Sequence, residues 1–554
     1  MKYDTQQRTA IETKEKNVLV LAGPGSGKTR VLIARIEELV RRGVDQSKIV
    51  VITYTNAAAD EIKARLEAKD SVETAGAGDW VRSSPIRPGY CGTLHGWSLE
   101  FIRRNASRIG FAGRISILDE ETSERFLKEQ ADKLGFKESL AHVSKVIDSI
   151  VNVASCPDRK LRLVASNYYN SMLENGMVDF NGMLYWTIAG LNAGIVEEPV
   201  YLLVDEMQDA AMADHVIFNK ILATERFYVA DPDQCIFGFR GADERHLRTI
   251  SKLSNFVTLR LENNYRCDSR ICDAADNLIR RNRGRLEKST VSMTGKSGAV
   301  DVYHGDNVSN EYSLISSEIL ARPHATVAVL LRTNALVEQY SAVLGSLGLA
   351  IRKRTRPDLP SDWRLAKMVL SVLANPDNDY YAEVIASILH DVPPLEIRKN
   401  AAREGQTISE LYLGMLTHRS VLDALVVVGL STESRQLIRE ASLRVGNDPM
   451  AILCWLADAE KEAVDEGSDG VTICTIHAAK GREWDIVFLP AFEQHVIPSE
   501  RSIVDVEEER RVAFVALTRA RNAVFISTAR ERLRHKFAKE LQPSEPSKFI
   551  AEAI

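Results

Sequence analysis

Val18-Leu19-Val20-Leu21-Ala22-Gly23-Pro24-Gly25-Ser26-Gly27-Lys28-Thr29 decides the fold class. Five residues that are apolar or small run into a loop of glycine, proline and serine, and a Lys-Thr pair follows. An apolar run this short, closed by glycines, reads as a buried parallel strand, and the next residues, 28 to about 42, read as a helix. Small loop residues let backbone N–H groups converge on phosphate oxygens, and the helix N-terminus adds partial positive charge. In such a loop Lys28 reaches the β- and γ-phosphates of ATP and Thr29 holds Mg²⁺. The strict pattern opens on Gly where this chain has Ala22; Gly23, Gly25 and Gly27 keep the close backbone approach open.

Outward from that loop the same grammar repeats. Ile49-Val50-Val51-Ile52-Thr53, Val200-Tyr201-Leu202-Leu203-Val204 and Arg226-Phe227-Tyr228-Val229-Ala230 read as further strands, and residues 57–66 as a helix. Strands alternating with helices predict an α/β domain with a parallel sheet. Between about 98 and 175 the chain turns charged and helix-periodic, as in 120–134 and 140–153. Strands return at Val300-Asp301-Val302-Tyr303 and Thr326-Val327-Ala328-Val329-Leu330-Leu331 and stop near Arg356-Pro357-Asp358-Leu359-Pro360. Residues 361–466 read as helices, for example 363–373 and 408–416. Strands resume at Val471-Thr472-Ile473-Cys474 and Ile486-Val487-Phe488-Leu489. The expectation is two α/β domains with parallel sheets, each carrying a mostly helical insertion. The first spans 1–97 and 176–258 with its insertion at 98–175. The second spans 259–360 and 467–554 with its insertion at 361–466.

The 554 residues suit about three to five compact units. At 45% hydrophobic and 27% charged, disordered and fibrous classes are excluded. The net charge of −5, from 71 Lys and Arg against 76 Asp and Glu, gives no global signal for nucleic acid, so any such contact rests on local charge. The seven cysteines form no CxxC pair, which points to free thiols in a reducing compartment rather than zinc or disulfides. The N-terminus lacks an apolar signal region, and no run reaches the ~18 apolar residues of a membrane span. A cytoplasmic protein without membrane contact is expected.

The second chemical element is Val204-Asp205-Glu206-Met207-Gln208-Asp209, two adjacent carboxylates ending an apolar strand. Asp205 is placed to hold Mg²⁺, and Glu206 to orient and deprotonate the attacking water. Phosphoryl transfer also needs cations on the γ-phosphate, worth about 10³–10⁵ in rate. Arg266 in Asn264-Tyr265-Arg266 and Arg519 in Ala516-Leu517-Thr518-Arg519-Ala520 are the candidates. Both fall in the domain without a glycine loop, so ATP is expected between the domains.

These pieces, in this order, resemble the UvrD/Rep-type helicases of superfamily 1A over nearly the whole chain. Gln7-Arg8-Thr9-Ala10-Ile11 resembles their Q motif, Thr53-Tyr54-Thr55-Asn56-Ala57-Ala58-Ala59 motif Ia, and Gly92-Thr93-Leu94-His95 motif Ib. Asp205-Glu206-Met207-Gln208-Asp209 resembles motif II and Asp231-Pro232-Asp233-Gln234-Cys235-Ile236-Phe237-Gly238-Phe239-Arg240-Gly241-Ala242 motif III. Asn264-Tyr265-Arg266 resembles motif IV, Thr475-Ile476-His477-Ala478-Ala479-Lys480-Gly481-Arg482-Glu483-Trp484 motif V, and Glu508-Glu509-Arg510-Arg511 through Thr518-Arg519-Ala520-Arg521 motif VI. The resemblance implies two RecA-like P-loop NTPase-type domains and a 3′–5′ DNA helicase or single-strand translocase of repair, replication or recombination. It implies that Gln7 contacts adenine, Tyr265 stacks on it, Gln234 senses the γ-phosphate and Glu483 touches the ribose. Ala22, Gly23, Pro24, Gly25, Ser26, Gly27, Lys28, Thr29 and Arg30 would line the nucleotide.

Bases stack on aromatic rings whatever their sequence, so Tyr54, Phe237, Phe239 and Trp484 are candidate contacts to single-stranded DNA. Thr55, Thr93, His95 and His477 are candidates for its phosphates, and Asn56 and Arg240 are further candidate DNA contacts. The expected partners are single-stranded and tailed duplex DNA, with a nuclease or repair factor as a protein partner. The chain departs from the family at Ala57, where Lys is usual, at Arg482, where Leu is usual, and at Ala513-Phe514 in place of Phe-Tyr. Its second insertion is short, although Asn375-Pro376-Asp377 marks the usual start. A different class of function, an ATP-switched DNA-binding subunit of a nuclease complex of the anti-phage type with weak unwinding of its own, fits the same motifs.

Overall fold

A computed structural model describes residues 2–68, 84–111, 114–118, 120–135, 159–355, 360–376, 379–417, 420–459, 464–466, 470–499, 505–532 and 542–554. The strand that opens the sequence reading, Asn17–Ala22, lies inside a six-stranded parallel sheet. The order is Tyr90–Thr93, Ile49–Thr53, Val200–Val204, Ala223–Ala230, Asn17–Ala22, Val257–Leu261. Side chains alternate along a strand, so each face of the sheet recruits its own helices. Val18, Val20 and Ala22 pack with Val31, Leu32 and Ile36 of helix Lys28–Arg41. Leu19 and Leu21 face the opposite cluster, with Trp97, Phe101 and Phe218.

Two strands of this sheet escape a sequence reading based on continuous apolar runs. Tyr90–Thr93 contains a glycine, and Val257–Leu261 is a half-exposed edge strand alternating apolar and polar residues. The expected domain boundary after residue 258 falls inside that edge strand.

In the first insertion, helices Glu120–Lys133 and Arg159–Glu174 are joined by a short parallel pairing of Ser116–Ile117 with Met177–Val178. The helix expected at 140–153 lies outside the described residues. The second sheet has seven strands, in the order Ala299–Gly305, Ala520–Ala529, Trp484–Leu489, Val327–Leu331, Val471–Thr475, Ile351–Thr355, Val464–Glu466. Its first six strands are parallel. Val464–Glu466 closes the edge antiparallel to Ile351–Thr355, so the stretch read as helical to 466 ends instead in a strand. The helix expected over 408–416 breaks at Leu413 into Ile408–Tyr412 and Gly414–Thr417, where a glycine weakens continuation.

The helices of the second insertion share one hydrophobic cluster with the first insertion and with one face of the first sheet. Polar contacts pin the same junction. Asn375 Nδ2 donates to the Arg114 carbonyl at 2.7 Å, and Arg444 pairs with Asp60 at 2.6 Å. No described helix is long and apolar enough to cross a membrane.

Candidate nucleotide site and nucleic-acid face

The glycines of the loop answer to its backbone. Gly25 and Gly27 have φ of 65° and 82°, the left-handed region that side chains disfavour. A Cβ on Gly25 would also stand 2.6 Å from Asn264 Oδ1 and 2.7 Å from Arg266 Cβ. The second domain's Asn-Tyr-Arg turn is therefore packed directly on the loop, and the Tyr265 N–H donates to the Gly25 carbonyl at 3.0 Å. Gly27 caps helix Lys28–Arg41 with no side-chain acceptor, which leaves the first-turn N–H groups to a ligand. Buried Asn264 Nδ2 beside it has no hydrogen-bond partner among the described residues. A glycine cradle with spare buried donors fits a polyphosphate.

Beyond the loop, Thr29 Oγ1 donates to Asp205 Oδ2 at 3.3 Å. Burial, and then the neighbouring Glu206 carboxylate, push Asp205 up to about 7. Burial opposes ionisation of Glu206 too, but Lys28, Lys480 and Gln208 outweigh it and hold Glu206 below the usual carboxylate value. Glu206 sits at φ 50°, a conformation in which a non-glycine residue stores strain. Two crowded carboxylates and a hydroxyl are hard oxygen donors, a set suited to Mg²⁺.

A chain of amides links this pair to the second domain. Gln208 Nε2 donates to Glu206, and its Oε1 accepts from the Asp231 N–H at 2.9 Å. Gln234 Nε2 donates to the Asp231 carboxylate, and its Oε1 accepts from Arg519 Nη2 at 3.1 Å. Arg519 is buried; burial, and then Arg266, push it down to about 9. Arg266 pairs with Glu483, which Arg521 also holds at 2.7 Å. Thus Arg266, Arg519 and Glu483 come together beside the loop.

On the loop's other flank, Asp4 gathers the expected base-contact residues. Its carboxylate caps helix Thr5–Glu12 through the Gln7 N–H at 2.7 Å and accepts from the Tyr265 hydroxyl at 2.6 Å. The Gln7 amide is satisfied inside the protein: Nε2 donates to the Ser26 carbonyl at 2.9 Å, and Oε1 accepts from the Asp4 N–H at 3.2 Å. The Arg30 guanidinium lies over the Tyr3 ring at 4.3 Å.

Phe237 and Phe239 leave the motif that holds Gln234 and meet His477, with ring centroids 5.8–6.2 Å apart. The Arg240 guanidinium lies 5.0 Å from the Phe237 centroid and Lys480 Nζ 4.8 Å from it. Phe239 is 70% exposed, an unusual state for a ring on a folded surface. This is an aromatic patch spanning both domains, with the Arg240 guanidinium beside it and Lys480 paired to Asp209. Burial, and then Arg332, push the imidazole of His477 down to about 4, so it is neutral at ordinary pH.

The other candidates are engaged in local structure. Thr55 and Thr93 are helix N-caps, accepting from the Ala58 and Gly96 N–H groups. The Tyr54 hydroxyl donates to Asp214 at 3.3 Å, Asn56 Nδ2 donates to the Trp455 carbonyl at 3.2 Å, and His95 packs 5.4 Å from Phe180. Trp484 does not join the exposed patch. It lies at the start of strand Trp484–Leu489, is 7% exposed in the second domain's core, and its indole N–H donates to Thr472. The strand register turns the ring inward.

Several contacts tie the halves together that no local pattern in the sequence states. Lys480 bonds Asp209 at 2.6 Å and the Gln234 carbonyl at 2.9 Å. The Gly238 N–H donates to Glu508 at 3.0 Å, and Arg511 donates to the Cys235 carbonyl at 2.8 Å. Lys288 and Arg285 reach Asp231 and Asp233.

A glycine loop, an acidic pair just after another strand of the same sheet, and arginines supplied by a second parallel-sheet domain define a two-domain P-loop nucleotide hydrolase. Residues 3–255 match the UvrD/REP helicase N-terminal domain, and residues 259–355 and 447–531 the UvrD-like helicase C-terminal domain. The chain belongs to the UvrD/REP helicase family. It is 28% identical to the ATP-dependent DNA helicase PcrA of Leuconostoc citreum, over 99% of this chain and 84% of that protein. PcrA of Bacillus subtilis is 27% identical, with 99% and 85% covered. The ATP-dependent DNA helicase srs2 of Schizosaccharomyces pombe is 25% identical, with 94% and 71% covered.

Proposed function

We propose that this enzyme is an ATP-dependent DNA helicase that moves 3′ to 5′ along single-stranded DNA and opens tailed duplexes. The observation that carries the reading is the Arg519–Gln234 hydrogen bond. It joins an arginine of the second domain to a glutamine of the first, three residues before the first aromatic of the patch. Lys28 and the backbone of residues 23–29 bind the phosphates. Thr29 and Asp205 would hold Mg²⁺, which would supply charge neutralisation for the phosphates. Glu206 orients the attacking water, and Arg266 and Arg519 stabilise the charge that develops. Gln7, Arg30, Tyr265 and Glu483 border the nucleoside.

Gln234 changes partners as the γ-phosphate leaves, and residues 235–240 carry that change to Phe237, Phe239 and Arg240. Tyr54, Thr55, Asn56, Thr93, His95 and His477 complete the strand path. Residues 1–97 with 176–258 and 259–360 with 467–554 act as the two motor domains, and 98–175 and 361–466 as their insertions. Repair, replication or recombination is the setting, with a nuclease or repair factor as partner. Matches to ATP-dependent DNA helicases over 99% of the chain do not favour the alternative of a regulatory DNA-binding subunit.

Strand displacement by the purified chain on 3′-tailed, 5′-tailed and blunt duplexes tests the reading. Displacement of the 3′-tailed substrate alone is expected; preference for the 5′ tail overturns the polarity.

A further inference from the structure

The turn that carries Gln234 has a second basic neighbour which no motif accounts for. Lys288 Nζ is fully buried, 2.5 Å from Asp231 Oδ1 and 2.6 Å from Asp233 Oδ2. Its stem runs under the phosphate loop, with Cε 4.0 Å from where a Cβ on Gly23 would stand. Arg285 takes the remaining charge of Asp233 at 2.8 Å and lies 3.8 Å from Asp276. Asp231 itself has no exposed surface, and its other oxygen stands 3.9 Å from Lys28 Nζ. That oxygen also accepts from Gln234 Nε2.

We propose that Lys288 is a positioning residue of the nucleotide site, which occupies Asp231 so that Lys28 stays available to the phosphates. The inference rests on the reading of Lys28 as a phosphate ligand. The two carboxylates, Asp231 and Asp233, are matched by two cations, Lys288 and Arg285, without drawing on Lys28. A buried carboxylate that loses its partner is costly and recruits the nearest cation. With Lys288 removed, the nearest cation to Asp231 is Lys28, already within ion-pair range. A Lys28 held back by Asp231 competes with the nucleotide for the same ammonium, so the first quantity to suffer is nucleotide affinity. Asp231 also orients Gln234, so its partner bears on the sensing glutamine by the same contact. Lys288 follows helix Ser269–Ile279 and precedes strand Val291–Ser292, so the loop that anchors the first domain's phosphate site comes from chain beyond that domain's last strand.

The experiment is equilibrium binding of mant-ATP with Mg²⁺ to the full chain. Lys288→Met is expected to raise Kd about tenfold or more, the effect of about one pKa unit's worth of charge interaction. Adding Asp231→Asn removes the unpaired carboxylate and is expected to bring Kd back to within about twofold of Asp231→Asn alone, the scatter of independent sites. Adding Asp233→Asn instead is expected to restore nothing, because Arg285 still neutralises Asp233. Wild-type affinity in Lys288→Met, or equal rescue by Asp233→Asn, overturns the proposal. If Lys288→Met does not fold, the comparison of Asp231→Asn with and without Lys288→Met decides: a further loss of more than about twofold overturns it. Lys28→Ala is the separate control. Wild-type binding by Lys28→Ala rejects the reading of the loop itself, whereas lost binding there with no rescue by Asp231→Asn rejects only the role of Lys288.

Discussion

Replacing Phe239 by Ala separates strand gripping from folding. The ring is 70% exposed, so its removal leaves no cavity, and such surface changes cost within about 0.5 kcal/mol of stability. What the ring loses is contact with a base, worth about 1–3 kcal/mol by alanine substitution. At about 1.4 kcal/mol per tenfold, Kd for single-stranded DNA should rise roughly fivefold to 150-fold. The neighbouring contacts sharpen the expectation. Arg240 also lies 5.0 Å from the Phe237 centroid and the His477 ring 6.2 Å from it, so both keep an aromatic neighbour when the Phe239 ring goes. The number of phosphates neutralised should then be unchanged. A plot of log affinity against log salt should keep its slope, whereas Arg240→Gln should lower that slope by about one. Fluorescence anisotropy of a labelled oligonucleotide across a salt series measures both quantities, and mant-ATP binding checks the nucleotide site. Unchanged Kd in Phe239→Ala, with the melting temperature also unchanged, refutes the assignment of this patch to DNA.

Lys28→Ala and Glu206→Gln should each abolish DNA-stimulated ATPase; Glu206→Gln should still bind nucleotide, because the lost group acts on water, and wild-type turnover by either refutes the active-site assignment. His215 supplies a pH test of the fold: burial, and then His246, push it down to about 3, against the counter-effect of Asp243. Its pKa is lowered on folding, so below about pH 6.5 the unfolded chain takes up a proton that the folded one does not, and this contribution to stability is lost as pH falls toward 3. The slope reaches at most about 1.4 kcal/mol per pH unit. His215→Leu should therefore lose less melting temperature than wild type between pH 7 and pH 5; an equal loss refutes the assignment.

What the sequence made legible is what is local. The run from Val18 to Thr29 contains its own strand, turn and helix start, and Asp205-Glu206 follows directly on the apolar strand that positions it. Arg266 and Arg519 could be named because each stands within a short, recognisable string. Trp484 reads the same way, but its exposure depends on the register of strand Trp484–Leu489 against its neighbours, which no local pattern states. Lys288 and Arg285 lie outside any motif, and their partners, Asp231 and Asp233, are 52 to 57 residues away. Lys480 and Asp209, 271 residues apart, were each visible inside a motif, yet only the meeting of the two domains makes them a pair. The half-exposed strand Val257–Leu261 was hidden because its polar positions answer to a sheet edge rather than to a buried centre.

The central claim is that hydrolysis is completed by an arginine of one domain acting at the phosphate loop of the other. Single-turnover ATP hydrolysis by Arg519→Ala, measured beside its mant-ATP affinity, tests it most directly. The expected result is a loss of about 10³-fold or more in rate with nucleotide still bound. Hydrolysis at the wild-type rate would contradict it.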